Sequence, residues 1–157
     1  MSFVVRQLTR SDIPQLRELN LLFGDAFAEP ETYGAEPPSD DYLSECLAAP
    51  HIVVLVALVA ARVAGGLVAY ELRKFERQRS EIYIYELAVA EPFRRRGIAS
   101  ALLQHLCRIA AERGASSVFV QADYVDAPAI ALYTKFGARE EVLHFDIRPA
   151  RASRTDR

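Results

Sequence analysis

The stretch richest in usable chemistry is Glu86-Leu87-Ala88-Val89-Ala90-Glu91-Pro92-Phe93-Arg94-Arg95-Arg96-Gly97-Ile98-Ala99, where an apolar run ends, three arginines follow and a glycine opens a helical pattern. N–H groups at a helix N-terminus carry the positive end of the helix dipole, and a glycine there lets a phosphate approach the backbone. The stretch therefore reads as an anion site suited to a pyrophosphate, built from Arg94, Arg95, Arg96, Gly97, Ile98 and Ala99. It lacks the glycine spacings of the dinucleotide and nucleoside-triphosphate loops. A solvated or nucleic-acid-binding arginine patch is the plainer alternative for the same residues.

Glu86 is the only charge between residues 82 and 89. It shares strand parity with Ile82 and Ile84, so a regular strand would turn it into a core face. A carboxylate held there is a candidate base for an amine that must lose a proton. A bulge aiming it at solvent, or an arginine satisfying it, are the alternatives. Tyr133, in a short apolar helix, suits a core position with a satisfied hydroxyl.

Charge is divided along the chain. The net charge is −2, yet residues 18–61 hold eight acids and no Lys or Arg, leaving +6 for the remainder. An acidic lobe beside a basic one can hold a cationic and an anionic ligand together; solvated helix faces would give the same tally. His51, His105 and His144 have no ligand spacing to each other or to a cysteine pair, so neither a metal site nor a catalytic histidine is expected. Cys46 and Cys107 form no disulfide framework and no signal peptide is visible, which makes the cytoplasm the expected compartment. Cys107 lies within the apolar repeat of its helix and is expected to be a buried structural thiol. Residues 51–70 are long and apolar enough to span a membrane, but Arg62 near their middle and their β-branched content favour a hairpin turning at Ala60-Ala61-Arg62. Gly65-Gly66 would then be a bulge or a close approach.

Elements that could position these groups follow from periodicity and punctuation. Strands are expected at 3–8, 81–89, 117–122 and 140–147, flanking the hairpin. Helices are expected from Ile13 (apolar stripe Ile13, Leu16, Phe23, Phe27; closed by Pro30), at 40–48 under a Ser39 cap, at 97–113 ended by Gly114, and at 128–136 ended by Gly137. Residues 29–38 read as a loop. The order βααβββαβαβ in 157 residues implies one α/β domain over 1–148, a single mixed, largely antiparallel sheet flanked by helices, with a basic, disordered tail at 149–157.

Arg94-x-x-Gly97-x-Ala99 after a strand resembles the acetyl-coenzyme A signature of the GCN5-related N-acetyltransferases (GNAT). Asp126-x-x-Ala129-x-x-Leu132-Tyr133-x-Lys135-x-Gly137 resembles a second motif of that superfamily, with Asp126 where Asn is usual. Residues 80–89, 120–124 and 139–147, with Phe23-Gly24-Asp25 and residues 39–43 of the acidic lobe, are similar to type I aminoglycoside 3-N-acetyltransferases. The resemblance implies acetyl-CoA as cosubstrate, bound by Leu87, Val89, Arg94 to Ala99 and Asp126, with no metal. It implies a Tyr133 hydroxyl that faces the coenzyme sulfur and can protonate the departing thiolate, and the Val89 N–H on the thioester carbonyl. Direct transfer in a ternary complex to the 3-amino group of a gentamicin-type aminoglycoside would follow, conferring antibiotic resistance. Glu86 is the base candidate, and Asp40, Asp41, Glu86, Asp123 and Asp146 are candidates for the ammonium groups of the drug. No nucleic-acid or membrane partner is expected, and a homodimer is compatible with the reading. The rivals are the same chemistry on a polyamine or protein N-terminus, and a non-catalytic binding module.

Overall fold

A computed structural model describes residues 2–150. In chain order it contains β1 (Val4–Gln7), α1 (Ile13–Ala26), α2 (Pro30–Gly34), α3 (Asp40–Ala48), β2 (Ile52–Val59), β3 (Arg62–Arg73), β4 (Ser80–Val89), a 3₁₀ turn (Glu91–Phe93), α4 (Ile98–Arg113), β5 (Ala115–Val120) and α5 (Ala127–Thr134). The sheet order is β1-β2-β3-β4-β5. All neighbours are antiparallel except β4 and β5. This is the expected mixed, largely antiparallel sheet.

Its two faces bury different layers. Leu55, Leu67, Ile82 and Ile84 pack against Ile98, Leu102 and Leu106 of α4. Val54, Val56, Val68 and Ala88 pack against Leu16, Leu19 and Phe23 of α1 and Leu43 of α3. Continuous apolar runs in β2 and β3 follow from this, because each strand is covered on both sides. No helix among the described residues is long and apolar enough to cross a membrane.

The hairpin turns on Ala60 and Ala61, both at positive φ (47° and 67°), a two-residue reversal that usually takes Asn-Gly. Pairing slips beside Ala57/Leu58, with Ala64 the unmatched residue. A Cβ on Gly66 would come within 2.6 Å of Leu19 and of the Leu55 carbonyl, and one on Gly65 within 2.9 Å of the Ala88 carbonyl. The Gly-Gly pair is thus a close approach next to a bulge.

Four expectations need correction. Residues 29–38 contain α2, opened by Pro30 at its first position, where proline's fixed φ and missing N–H suit a helix start. Phe27 lies just past α1, whose buried stripe is completed by Leu19 and Leu22. Cys107 is exposed, because the buried stripe of α4 passes through Leu103, Leu106 and Ala110 and the next residue after Leu106 turns about 100° away. Residues 140–147 form no strand and are exposed throughout. Of the expected tail, residues 149 and 150 are exposed, and 151–157 lie outside the described residues.

Candidate active site

The site is organised by one irregularity in β4. Val68 pairs with Glu86 and Ala69 with Ile84, so Tyr85 is an extra residue opposite β3. A bulge of one residue reverses side-chain parity. Ile82 and Ile84 face α4, while beyond the bulge Leu87 and Val89 face α4 and Ala88 faces α1 and α3. The expected parity of Glu86 with Ile82 and Ile84 is therefore overturned. Glu86 points to the side of the acidic helices, half-buried, where the Tyr33 hydroxyl donates to its Oε1 at 2.7 Å. Burial pushes its carboxyl above the ordinary glutamate range, and the Tyr33 hydrogen bond partly opposes the rise. Tyr33 itself is strongly raised, first by burial and then by Glu86. Among the described residues, Oε2 of Glu86 has no hydrogen-bond partner and is left for an incoming donor.

Tyr33 was not among the expected site residues. It reaches Glu86 because α2 folds tightly back on α1, where Gly24 leaves room: a Cβ there would lie 3.2 Å from that of Tyr33. Phe23 stacks on Phe27 with centroids 5.5 Å apart, and Tyr33 tilts against both at 6.1 and 6.0 Å. Pro30 three positions before Tyr33 was the available helix-start signal; the contact with Glu86, 53 positions away, had none. Beside Glu86 runs an aromatic row. Tyr70 meets Tyr85 edge-on at 6.0 Å, Tyr85 meets Tyr83 at 5.7 Å, and Tyr83 stacks on Phe119 at 4.8 Å. Tyr85 is 64% exposed.

On its other edge β4 pairs with β5 only as far as Ile84, so among the described residues Tyr85–Val89 has a free edge there. The Ala90 N–H bonds to the Ala64 carbonyl across β3. N–H directions alternate along an antiparallel strand, which turns those of Leu87 and Val89 toward the free edge. Arg94 donates from Nε to the Val89 carbonyl at 3.0 Å. Arg95 is left-handed (φ 62°), as is Gly97 (φ 81°), a helix cap with no side-chain cap bond. The α4 N-terminal N–H groups thus lack intrahelical acceptors, and nothing lies within 4 Å of where a Cβ on Gly97 would stand. Three arginines, free amides and open space form a cradle that fits the pyrophosphate of coenzyme A.

Tyr133 packs, partly buried, against the same apolar cluster as Leu87, Val89 and Ile98. Its phenol is pushed up to about 12, chiefly by burial and secondarily by Asp126. Asp126 caps α5, its Oδ1 accepting from the Ala129 N–H at 3.1 Å. The chain thus brings Leu87, Val89, Arg94 to Ala99 and Tyr133 to one side of β4 and Glu86 to the other.

The acidic candidates are less concentrated. Asp40 and Asp41 stand exposed on the first turn of α3. Asp40 pairs with Arg17, and Arg62 lies 3.9 Å from Glu18, so arginines flank the lobe on both sides. Asp123 is exposed before α5. Asp146, 96% exposed along its side chain, meets His144 at 3.1 Å, and nothing brings it to Glu86. Among the described residues no group of His, Cys, Asp and Glu converges as a metal site would.

The family model described as "Acetyltransferase (GNAT) family" matches residues 17–138. The chain belongs to the GNAT acetyltransferases. It is an acetyl-transferring enzyme of a family whose acyl donor is acetyl-CoA. A solved aminoglycoside acetyltransferase from an uncultured soil metagenomic sample is 49% identical and superposes with a TM-score of 0.93, covering 96% of this chain and 100% of that one. A second soil-metagenome aminoglycoside acetyltransferase, solved in complex with sisomicin, is 31% identical with a TM-score of 0.86, over 94% of this acetyltransferase and 97% of that protein. The ribosomal protein bS18-alanine N-acetyltransferase of Escherichia coli K12 is 30% identical over 76 residues, which are 48% of this enzyme and 51% of that one. The acetyltransferase thus spans about half the length of that curated relative.

Proposed function

We propose that this acetyltransferase moves acetyl from acetyl-CoA to the 3-amino group of a gentamicin-type aminoglycoside, by direct attack in a ternary complex. The observation that carries the reading is Glu86. One half-buried carboxylate sits at the bulge of β4, facing the acidic helices, while the free edge and end of that strand lead into the arginine cradle. A polyamine acceptor and a polyanionic donor thereby meet across one strand, as the division of charge requires. The two soil-metagenome relatives named as aminoglycoside acetyltransferases support the acceptor class.

The donor supplies an acyl group activated as a thioester. Arg94, Arg95 and Arg96 neutralise its pyrophosphate, whose oxygens accept from the backbone N–H groups of Gly97, Ile98 and Ala99. Leu87 and Val89 offer backbone N–H groups to the pantetheine arm, and the Val89 N–H polarises the thioester carbonyl. Glu86, ionised and held by Tyr33, takes the proton of the attacking amine. Tyr133, with its phenol near 12, stays protonated well above a thiol's usual ~8.5. It therefore donates a hydrogen bond to the departing thiolate without surrendering the proton outright. Asp126 fixes the start of the helix that carries Tyr133, and Asp40, Asp41 and Asp123 offer exposed carboxylates to further ammonium groups.

Acetylating gentamicin and locating the new amide by NMR tests the reaction and its position together. An amide at N3 is expected; an amide at another ring amine would overturn the regiochemistry. The likeness to the bS18-alanine enzyme favours a second reading, a protein N-terminus as acceptor. Faster thiol release with an alanine-starting peptide than with any aminoglycoside would establish it instead.

A further inference from the structure

The bulge of β4 places a second group beside Glu86. In a regular strand consecutive side chains leave opposite faces of the sheet. Tyr85 meets Tyr70 edge-on at 6.0 Å, and Tyr70 packs into the layer under α1 and α3. Tyr33 lies in that same layer, where it donates to Glu86. Because Tyr85 is the extra residue opposite β3, its ring and the Glu86 carboxylate stand side by side on one face.

That ring is held but not covered. Tyr83 also meets it, at 5.7 Å, and is itself fixed by stacking on Phe119 at 4.8 Å and by donating from its hydroxyl to Gln121 at 2.9 Å. Burial, then Glu86, Cys46, Tyr42 and Tyr85, push the Tyr70 phenol up, so the carboxylate lies close to the ring that braces Tyr85. Tyr85 nonetheless stays 64% exposed. A tyrosine already fixed in place gives contact area at little cost in freedom, and its π face attracts a cation.

Resting on the reading of the Glu86 side as the acceptor side, we propose that Tyr85 determines acceptor specificity: its exposed ring takes a second ammonium group of the acceptor while Glu86 takes the proton of the attacking amine. A carboxylate alone serves any amine that reaches it. A carboxylate beside an aromatic face favours an acceptor with two amines on one ring or on adjacent rings, because the second charge is then held by the ring quadrupole. Selection of polyamino sugars over single amines thus follows from one inserted residue in β4.

Calorimetry of gentamicin binding to the coenzyme A-loaded enzyme, with steady-state kinetics alongside, tests this in Tyr85→Leu and Tyr85→Phe. Tyr85→Leu should weaken gentamicin binding and raise its KM by roughly 3- to 30-fold, the span of a cation on an aromatic face, with kcat and acetyl-CoA affinity at parent values. Tyr85→Phe should keep the parent affinity, since the ring and not the hydroxyl binds. Glucosamine, an amino sugar with a single amine, should give the same kcat/KM with all three proteins. Unchanged gentamicin affinity in Tyr85→Leu, an equal loss in Tyr85→Phe, or an equal loss for glucosamine would overturn the assignment. Should Tyr85→Leu not fold, fluorotyrosine placed at position 85 decides: its ¹⁹F resonance should move on gentamicin binding, and an unmoved resonance would overturn the role of the ring. Gentamicin bound through Tyr85 but never acetylated would sink the proposed reaction and support the ring; acetylation with parent affinity in Tyr85→Leu would do the reverse.

Discussion

The two sides of β4 are built on different principles. On the α4 side, the groups proposed to hold the coenzyme come from one contiguous run, Leu87 to Ala99, with Tyr133 added from α5. Their geometry is largely backbone: a free strand edge, a left-handed glycine and unpaired helix amides. On the α1–α3 side, the acceptor chemistry rests on Glu86 and Tyr33, two side chains 53 positions apart brought together by a bulge and a close helix contact. Backbone sites tolerate changes of neighbouring side chains, whereas the second arrangement depends on packing. The contrast teaches that a donor cradle can be local while acceptor chemistry is assembled at long range.

The largest effect should come from the cradle. Gly97→Glu puts a side chain and a negative charge into the open space, so calorimetry should detect no acetyl-CoA binding, while the left-handed backbone costs about 1–2 kcal/mol of stability. Gly97→Ala meets the same strain without the charge and should keep part of the affinity. Native affinity in a folded Gly97→Glu enzyme would remove the cradle from the donor side.

Glu86→Gln preserves shape but cannot take a proton, and turnover should fall by roughly 10²- to 10⁴-fold. In the parent, the base must be ionised and its carboxyl is raised, so the acidic limb of the rate profile should lie above the usual ~4.3 of glutamate. That limb should vanish in the variant. A surviving limb with an increased KM would instead make Glu86 an ammonium-binding group.

Tyr133→Phe keeps the ring and deletes the hydrogen bond to the leaving sulfur; loss of one such donor costs roughly 10²- to 10³-fold in turnover, with melting near that of the parent. Early melting with unchanged turnover would make Tyr133 a packing residue.

A finer test addresses the long-range pair. The Tyr33 hydrogen bond favours ionised Glu86, so Tyr33→Phe should raise the Glu86 carboxyl further and move the acidic limb to higher pH. At pH values well above the limb, kcat should change little. A limb that stays in place would separate Tyr33 from the base.

The smallest effect belongs to the acidic rim. Changing Asp40 and Asp41 together to Asn should weaken aminoglycoside binding and flatten its salt dependence, because exposed charges are screened within ~8 Å at physiological ionic strength. Each exposed pair is worth only about 0–1 kcal/mol, and Arg17 already engages Asp40. Unchanged affinity and salt slope would mark these acids as a solvated face.

What could be read from the chain alone was whatever its physics makes local. Ser39 accepts from the Tyr42 N–H at the start of α3, Gly114 ends α4 at φ 71°, and the hairpin turns at Ala60-Ala61, as punctuation and period foretold. The arginine and glycine run was legible for the same reason, since a strand end followed by a helix start is a neighbourly arrangement. The parity of Glu86 was not. One inserted residue against β3 reverses every later side chain, and whether a strand bulges depends on how its partners twist and pack. Tyr33 carries no local signal, because its contact with Glu86 across 53 positions follows from α2 settling on Gly24, and Cys107 leaves the apolar repeat because one step along a helix carries a side chain out of its buried stripe. The strand expected at 140–147 is not formed, because the alternation of Leu143, Phe145 and Ile147 is local, whereas a strand exists only where a sheet edge pairs with it.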